Sequence, residues 1–525
     1  MMRMRQVAIY IFLPVVLFAQ HPTRYTLSSS ALSASGATVS AMPSSNTIND
    51  IYVQNDTIWF ATGTGPSYTF NEGASWINLA GIAGFDSKGI SAIAAHGKLI
   101  WMAAAYTTMI DGTDYQTGGG LHYSTDHGAT WNPIAQPVDS GKVDTIQYDS
   151  KNRVKVLDIT VPQQNLTYDI ALTRSAVWIA SWAGMLRKSI DSGKTWQRAI
   201  LPADNMDAID TSMLLPASFD VSPTSSYGLN ANYNNSVFSV IASDDTTIWA
   251  GTADGINKST DGGWSWRKFS HQNQAQPISG DFVVALKMQN LKNGGSIIWA
   301  ATNIANDPDE KTGVSFSSDG GNSWQTAIIG GFTHNFACKD SIVYVATDQG
   351  VYRSDNFGVS WTCSGTITDQ KNLQQFTSTE IDCIGVQGDI IWVGGVEGIA
   401  YTHDTPSEPF GSAWTIVRTA AQVGTARTTY AYPNPFSPDL EYVRIHFSTK
   451  SFSGSSQNVN IRIFNFAMQP VRTLIQNASR SAGTEYDQIW DGKNDRGKTV
   501  ANGVYFYSVS IGGQSAAWGK ILVIR

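Results

Sequence analysis

Five carboxylates in two separate segments are the groups with which this chain could perform acid–base chemistry. Asp111 and Asp114 lie in one segment, and Asp307, Asp309 and Glu310 lie in the other. A glycosidase needs two carboxyl groups roughly 5 to 10 Å apart that flank the bond it cleaves. These five are therefore candidate catalytic residues. Carboxylates in polar segments more often close turns or face solvent, so that interpretation stands beside the catalytic one.

Three aromatic residues near these segments could bind a ligand. Tyr106, Tyr115 and Trp182 are candidates because an aromatic ring can stack on a sugar ring. Of the 17 tryptophans, 13 occupy two repeated positions of the sequence, and Trp182 does not. Local packing beneath a neighbouring insertion is the alternative role for Trp182.

Other kinds of site are not indicated. The chain lacks P-loop, dinucleotide-binding, HExxH and nucleophile-elbow motifs, and the spacing of Cys338, Cys363 and Cys383 is not that of a zinc site. We therefore predict no cofactor and no metal. One disulfide, Cys338 with Cys383, would suit an oxidising compartment, with buried free thiols as the alternative. A net charge of −7 does not indicate a general nucleic-acid-binding surface.

A repeated phrase defines the elements that must position these residues. The pattern Ser/Thr-x-Asp/Asn-x-Gly-x-Ser/Thr-Trp occurs six times between Thr69 and Trp361, and a damaged seventh copy runs from Thr402 through Asp404 to Trp414. Such periodicity indicates a repeat architecture. The acidic or amide residue and the tryptophan of each copy are Asn71 and Trp76, Asp126 and Trp131, Asp191 and Trp196, Asp261 and Trp266, Asp319 and Trp324, and Asn356 and Trp361.

Two further signals precede most copies of the phrase. About ten residues upstream lies an aromatic anchor, as at Trp59 and Trp178, and upstream of that lies an apolar pair spaced i, i+3, as at Ile48 and Ile51 or Phe238 and Ile241. Short strands separated by turn residues are typical of all-β folds. Seven units predict a seven-bladed β-propeller over residues 20–418, each blade a four-stranded sheet.

The phrase has a physical logic as a turn. The Asp or Asn side chain accepts hydrogen bonds from nearby backbone N–H groups, Gly supplies a positive φ, and the Trp packs between neighbouring sheets. It resembles the Asp box of the BNR repeat family, which includes sialidases, xyloglucanases, sortilin-type receptors and photosystem assembly factors. A fold of this kind hosts many functions.

The resemblance implies where ligands would bind. In the family the Asp boxes lie between the third and fourth strands, opposite the usual ligand face. We expect that face to be elaborated by four insertions, which are 106–120, 132–166, 197–235 and 303–313. The Arg-Ile-Pro signature and the three-arginine cluster of a sialidase are missing from the sequence, which argues against sialidase activity.

The last hundred residues follow a different sequence pattern. After a small-residue linker at 419–429, the stretch from Tyr432 to Phe436, the phrase from Trp490 to Gly497 and the final run to Arg525 indicate a small β-sandwich. Residues 430–525 resemble the immunoglobulin-like domain of flagellar hook-capping proteins, in the form that serves as a C-terminal sorting domain of the type IX secretion system. The resemblance implies that the type IX secretion machinery is a partner of this chain. A spacer or adhesive module is the alternative role for this domain.

The N-terminus indicates export. Arg3 and Arg5 precede an apolar run from Val7 to Phe18, and cleavage after Ala19 would remove residues 1–19 as a signal peptide. No later segment is apolar enough to span a membrane. We therefore predict a secreted or outer-membrane-surface bacterial protein that binds a glycan or protein ligand without catalysis. The alternative is an extracellular glycosidase, not a sialidase, that uses two of the loop carboxylates.

Overall fold

The computed structural model describes most of the chain from Thr38 to Arg525. The described ranges are 38–81, 85–86, 88–111, 113–141, 145–216, 219–222, 232–292, 294–371, 374–376, 378–418, 429–439, 442–449, 456–514 and 516–525. The predicted signal peptide and nearly all of the predicted linker lie outside them. The chain divides into two compact units, residues 1–419 and 420–525. Within the described residues, no helix is long and apolar enough to cross a membrane.

The first unit is built from seven four-stranded antiparallel meanders, here called blades one to seven. Their strands are, in blade order, Ile48–Gln54, Thr57–Thr62, Gly65–Thr69 and Trp76–Asn78; Gly89–His96, Leu99–Ile110, Thr113–Ser124 and Asn132–Ile134; Thr167–Leu172, Val177–Ser181, Met185–Ser189 and Gln197–Arg198; Val237–Ala242, Ile248–Thr252, Gly255–Ser259 and Trp266–Phe269; Phe282–Asn290, Ser296–Asn303, Gly313–Ser317 and Gln325–Ala327; Thr333–Lys339, Ile342–Thr347, Gly350–Ser354 and Thr362–Cys363; and Cys383–Gln387, Ile390–Gly395, Gly398–His403 and Thr415–Val417. The prediction of an all-β propeller is confirmed.

The blades form a closed ring through their first strands. Each first strand contacts that of the next blade, and Ile48–Gln54 of blade one contacts Cys383–Gln387 of blade seven. The short strand Thr38–Ser40 pairs with Trp76–Asn78, at the outer edge of blade one. Blade seven draws all four strands from one continuous segment, so the ring closes by side-chain packing between blades one and seven.

A β-bulge near the start of the first strand explains the i, i+3 spacing of the apolar pairs. In blade one the register shifts between Ile48 and Asp50, which leaves Asn49 as the extra residue. Alternation alone would give i, i+2, and one extra residue makes it i, i+3. In blade four the extra residue is Phe238, so the pair equivalent to Ile48 and Ile51 is Val237 with Val240, one residue before the pair Phe238 with Ile241 that the sequence indicated.

Tryptophans join neighbouring blades. Trp59 of blade one meets Trp131 of blade two edge to face, with ring centroids 6.1 Å apart, and Trp178 meets Trp266 in the same way at 6.4 Å. Edge-to-face pairs of this kind add to the stabilisation from buried area. The aromatic anchor of one blade therefore packs against the phrase tryptophan of the next, which is why both positions repeat.

Two of the predicted insertions lie at the outer rim of the ring. Within 132–166, the strands Thr145–Gln147 and Arg153–Lys155 form a hairpin, and within 197–235 the strand Ala208–Ile209 adds to the outer edge of blade four. The 3₁₀ helix Tyr233–Asn235 ends the second insertion. The two insertions share one apolar cluster with strands of blades three and four, among them those that carry Trp178, Val240 and Trp266. The parts of the insertions that carry Val154 and Ile209 therefore pack against the sheets of these blades, and the expectation that the insertions elaborate the ligand face stays a prediction for their remaining parts.

The second unit contains two antiparallel sheets around one core. Strands Tyr430–Tyr432, Val443–Ser448 and Glu485–Trp490 form one sheet, and Ser456–Phe464, Pro470–Ser481, Gly503–Ile511 and Ala517–Val523 form the other. Side chains from both sheets, including Ile445, Ile461 and Tyr507, share a buried cluster. This unit is a small β-sandwich with its own core.

The three cysteines are free thiols. Cys383 is buried, Cys338 is half-buried and Cys363 is exposed. The Cys338–Cys383 disulfide that the sequence left open is therefore not formed.

Candidate functional site

Antiparallel topology gives the ring two faces. The turns between third and fourth strands lie on one face, here called the box face. The turns between second and third strands, the connections between blades and the bulges of the first strands lie on the other, here called the loop face. The two faces are built from different chemistry.

On the box face, each phrase closes a turn by its own side chains. In blade four, Ser259 Oγ donates to Asp261 Oδ1 at 2.8 Å and accepts the Gly263 N–H at 2.8 Å. The same Asp261 oxygen accepts the Ser265 N–H at 2.9 Å, and Trp266 Nε1 donates to the Gly263 carbonyl at 3.0 Å. These side chains therefore bond within the turn that they close.

The other five complete copies repeat this pattern. Asn71, Asp126, Asp191, Asp319 and Asn356 each accept the backbone N–H four residues further on, at 2.9–3.0 Å. The seventh, damaged copy differs, since Asp404 accepts a hydrogen bond from Arg353 Nε at 2.6 Å and so links blades six and seven. Trp264, inside the phrase of blade four, is 54% exposed.

The segment with Asp111 and Asp114 is a long hairpin on the loop face. Its strands stay paired out to Ile110 and Thr113, Asp111 has a φ of 50° at the tip, and both carboxylates are exposed. Tyr106 is 40% exposed beneath Lys88, whose Nζ lies 5.3 Å from the ring centroid. Tyr115 pairs across the hairpin with Thr108 and is half-buried.

The second candidate segment is organised by Glu310. This side chain is 3% exposed, and its oxygens accept the N–H groups of Ala305 at 2.6 Å, Asp307 at 3.0 Å and Asp281 at 3.1 Å. Because its oxygens accept backbone N–H groups of the loop, Glu310 holds this loop in place. Asp307 Oδ1 accepts the Asp309 N–H at 2.9 Å, as in an ordinary turn.

Trp182 belongs to an aromatic cluster on the loop face. Its ring lies 5.4 Å from Phe238, and Phe238 lies 5.4 Å from Tyr168 and 4.8 Å from Phe282. Tyr168 and Phe238 are the bulge residues of blades three and four. Trp182 therefore packs locally, as its alternative interpretation held, and its half-buried ring leaves one part open at this face.

The structure adds a polar cleft on the loop face that the sequence did not indicate. It lies beside blades four and five, has a volume of about 580 Å³, and its lining side chains are all polar or charged. They are Asp204, Asn205, Asp207, Asp254, Lys268, Ser270, Gln272, Asn273 and Gln274. A cleft of this size is typical of small-ligand sites.

An ion pair forms the base of this cleft. Lys268 Nζ contacts Asp254 Oδ2 at 2.6 Å and donates to the Asp204 carbonyl at 2.6 Å. Burial raises the pKa of Asp254 to about 7, although the ammonium of Lys268 opposes the shift. Burial also raises the pKa of the Asp204 carboxyl, which accepts the Asn234 N–H at 2.9 Å. The base of the cleft therefore holds partly desolvated acid groups.

A second buried acid lies behind the cleft. Asp281 is 2% exposed and accepts the His271 N–H at 2.6 Å. Burial raises the pKa of Asp281 to about 6, against the effect of that hydrogen bond. Carboxyl groups with raised pKa values cluster at functional sites. This cleft is therefore our first candidate for the functional site.

One sequence signal could have found the cleft. Lys268 comes two residues after the phrase tryptophan Trp266, and Arg198 has the same position after Trp196. Both cations are buried in ion pairs, Lys268 with Asp254 and Arg198 with an acidic residue of the first rim insertion. A cation at this inward position needs an acidic partner, so the Asp–Gly turn at Asp254 could have been assigned to that role.

Comparisons with known proteins give likeness to solved structures alone. No family model matches the chain, and no curated protein matches it. The chain is similar to YCF48 bound to a D1 peptide, with 14% identity, 73% of this chain and 100% of that chain covered, and a TM-score of 0.40. It is also similar to the WD40 β-propeller domain of Doa1, at 11% identity over 71% of this chain and 99% of that one, TM-score 0.41. A third is PorZ, a surface component of the type IX secretion system of Porphyromonas gingivalis, at 13% identity over 91% and 75%, TM-score 0.30.

Proposed function

We propose that this protein is an extracellular binding protein that holds a glycan in the polar cleft beside blades four and five. The observation that carries the proposal is the lining of the cleft, in which every side chain is polar or charged. Sugar hydroxyls both donate and accept hydrogen bonds. Carboxylates such as Asp207 accept, and amides such as Asn205 and Gln272 do both.

The exposure of the lining supports a binding role. Asn205, Asp207 and Gln272 are exposed, whereas Asp254 and Lys268 are held beneath them by their ion pair. The exposed side chains can meet a ligand while the buried pair fixes the base of the cleft. Recognition groups that are held in place before binding lose little entropy when the ligand arrives.

Hydrolysis is the second candidate function, and one observation favours it. A carboxyl whose pKa is raised to about 7 can donate a proton near neutral pH, and Asp254 lies in the same cleft as the exposed carboxylate of Asp207. These two would take the place of a pair that includes Glu310, because the oxygens of Glu310 accept backbone N–H groups.

The second unit is proposed to direct export. The resemblance of residues 430–525 to a type IX sorting domain and the leader-like segment at residues 1–19 support secretion to the cell surface. Deleting residues 430–525 should leave the ring folded, since each unit has its own core, and should retain the protein inside the cell envelope of its host. Secretion of the truncated chain would contradict the sorting role.

A glycan-array screen with mass spectrometry of every bound glycan tests binding and hydrolysis together. We expect binding without cleavage. Cleavage that is lost in Asp254→Asn would establish the hydrolase instead. If no glycan binds, the glycan proposal is wrong, and a protein ligand for the loop face becomes the alternative.

Matched variants separate the cleft from the rest of the surface. Asn205→Ala and Gln272→Ala remove exposed amides of the cleft, and Asn322→Ala removes an exposed amide of the box face. The double variant Asn205→Ala/Gln272→Ala should weaken binding about tenfold or more, on the order of one hydrogen bond per amide, while Asn322→Ala should bind as the wild type does.

A further inference from the structure

A histidine and two carboxylates meet on the loop face where blades six and seven adjoin. A ring nitrogen of His334 and carboxylate oxygens of Glu380 and Asp382 all lie within 4.8 Å of one another. The group is separate from the polar cleft, whose lining comes from the segments around blades four and five.

The fold places these three side chains by backbone pairing. His334 is the bulge residue in the first strand of blade six, where the register shifts between Thr333 and Asn335. The Asp382 N–H donates to the Gly394 carbonyl at 2.9 Å, and the Ile381 N–H donates across the blades to the Thr347 carbonyl at 2.9 Å. The first strands of blades six and seven are in contact, so the three groups are held by two rigid sheets.

The charges of the cluster are not balanced by a basic residue. In the described part of the chain, neither Glu380 nor Asp382 forms an ion pair with a Lys or Arg, and no hydrogen bond to the carboxylate of Asp382 is formed. Two carboxylates that face each other in this way favour a cation between them.

The histidine supplies the nitrogen of the donor set. His334 is 2% exposed, and neutral imidazole is the form of histidine that binds metal. A buried imidazole beside two carboxylates is a donor set of one nitrogen and two oxygens.

We propose that His334, Glu380 and Asp382 bind a divalent transition-metal ion, Zn²⁺, on the loop face of blades six and seven. Imidazole and carboxylate donors both suit Zn²⁺, and the nitrogen ligand argues against Ca²⁺ and Mg²⁺, which take oxygen ligands. Donor atoms up to 4.8 Å apart can approach one ion at bond lengths of about 2.0–2.2 Å with small side-chain rotations. Three protein ligands leave a fourth position for water or for a donor atom of a ligand.

Titration of the purified, chelator-stripped full chain with Zn²⁺ by isothermal calorimetry tests the proposal. We expect one Zn²⁺ per chain, a rise in melting temperature on binding, and no comparable heat with Mg²⁺ or Ca²⁺. Glu380→Gln, at an exposed side chain, should weaken Zn²⁺ binding at least tenfold without altering the melting temperature of the stripped protein. Absence of binding in the wild type would overturn the proposal.

A matched control and a spectroscopic readout make the test specific. His403 and Glu408 form an exposed histidine–carboxylate pair at 3.9 Å in blade seven, and Glu408→Gln should bind Zn²⁺ as the wild type does. Co²⁺ bound to the wild type should give visible absorption bands that weaken in Glu380→Gln. His334→Gln should abolish binding; if it fails to fold, the Glu380→Gln result decides. Equal affinity in Glu380→Gln and the wild type, or a loss in Glu408→Gln, would place the metal elsewhere and contradict the proposal.

Discussion

Aspartates on the two faces of the ring have pKa values that are shifted in opposite directions. On the box face, the side-chain hydrogen bond from Thr195 and further donors lower the pKa of Asp191 to about 2. On the loop face, burial raises the pKa of Asp254 to about 7 and that of Asp281 to about 6. A carboxylate that is saturated with donors closes a turn, whereas a desolvated carboxyl retains chemistry that a ligand or a proton can use.

The repeated positions of the sequence lie on the box face, whereas the unrepeated features lie on the loop face. The box face repeats one turn six times, and its side chains bond to their own backbone. In the described part of the chain, the loop face carries one long hairpin, one aromatic cluster, one polar cleft and the His334 cluster. We infer that the repeated positions stabilise the ring and that the unrepeated ones carry function.

The largest effect should come from a phrase tryptophan. Trp266 is 2% exposed and packs edge-on against Trp178, so Trp266→Ala should lower the free energy of unfolding by about 3–5 kcal/mol. Trp196 is only half-buried, and Trp196→Ala should cost less. Urea denaturation followed by circular dichroism measures both. Equal costs, or a cost for Trp266→Ala as small as for an exposed residue, would contradict the structural role of this face.

A pH effect of opposite sign should separate the two faces. Because the pKa of Asp281 is raised to about 6, the folded protein retains a proton that the unfolded chain loses, so stability falls as pH rises from about 4 to about 6. Asp281→Asn should remove a decrease on the order of 2 kcal/mol across that window. Asp191, with its pKa lowered to about 2, instead contributes stability that is lost as pH falls from about 4 to about 2.

Denaturation curves at a series of pH values check both signs. The matched variant Asp191→Asn should keep the wild-type slope between pH 4 and pH 6 and change it only below pH 4. If Asp281→Asn leaves the slope between pH 4 and pH 6 unchanged, the contrast between desolvated and saturated carboxyl groups is wrong.

A smaller effect is expected from the serine that begins each phrase. Ser259→Ala removes the acceptor of the Gly263 N–H and the donor to Asp261, so it should cost about 1–2 kcal/mol. Thr260→Ala, at the exposed next residue, should stay within about 0.5 kcal/mol. Chemical denaturation of the pair compares them, and indistinguishable midpoints would mean that the turn does not depend on its side chains.

The smallest effect is expected at the hairpin tip of the loop face. Asp111 has a φ of 50°, a conformation that glycine adopts without strain. Asp111→Gly should therefore change stability by less than about 0.5 kcal/mol and leave glycan binding unaltered. A loss of binding in this variant would move the ligand site from the cleft to the hairpin.

The fold could be predicted from the sequence because its signals are local. In each complete phrase the tryptophan lies at a constant distance in sequence after the Asp or Asn, as Trp266 does after Asp261. Each of these tryptophans follows the same turn of its blade. The surface against which the two rim insertions pack was not predicted, because nothing local in the sequence shows which surface they cover. Tyr148 packs in one cluster with Trp178 and Ile209, residues that come from three different segments of the chain.

The candidate sites were less predictable because they depend on contacts between blades. Asp254 and Lys268 are 14 residues apart in sequence, and only the fold brings their charged groups to within 2.6 Å of each other. His334 and Asp382 are 48 residues apart in sequence. The β-bulge that places His334 beside Asp382 cannot be recognised from the residue types around it. Glu310 was proposed as a catalyst for its residue type, and its donors become visible only once the loop is folded.

Calorimetric titration of an array-identified glycan into the wild type, Asn205→Ala/Gln272→Ala and Asn322→Ala tests the central claim most directly. The separation of the two faces predicts a dissociation constant at least about tenfold higher in the cleft variant, with an unchanged melting temperature, and no change in Asn322→Ala. An unchanged dissociation constant in the cleft variant, or a loss of binding in Asn322→Ala, would contradict it.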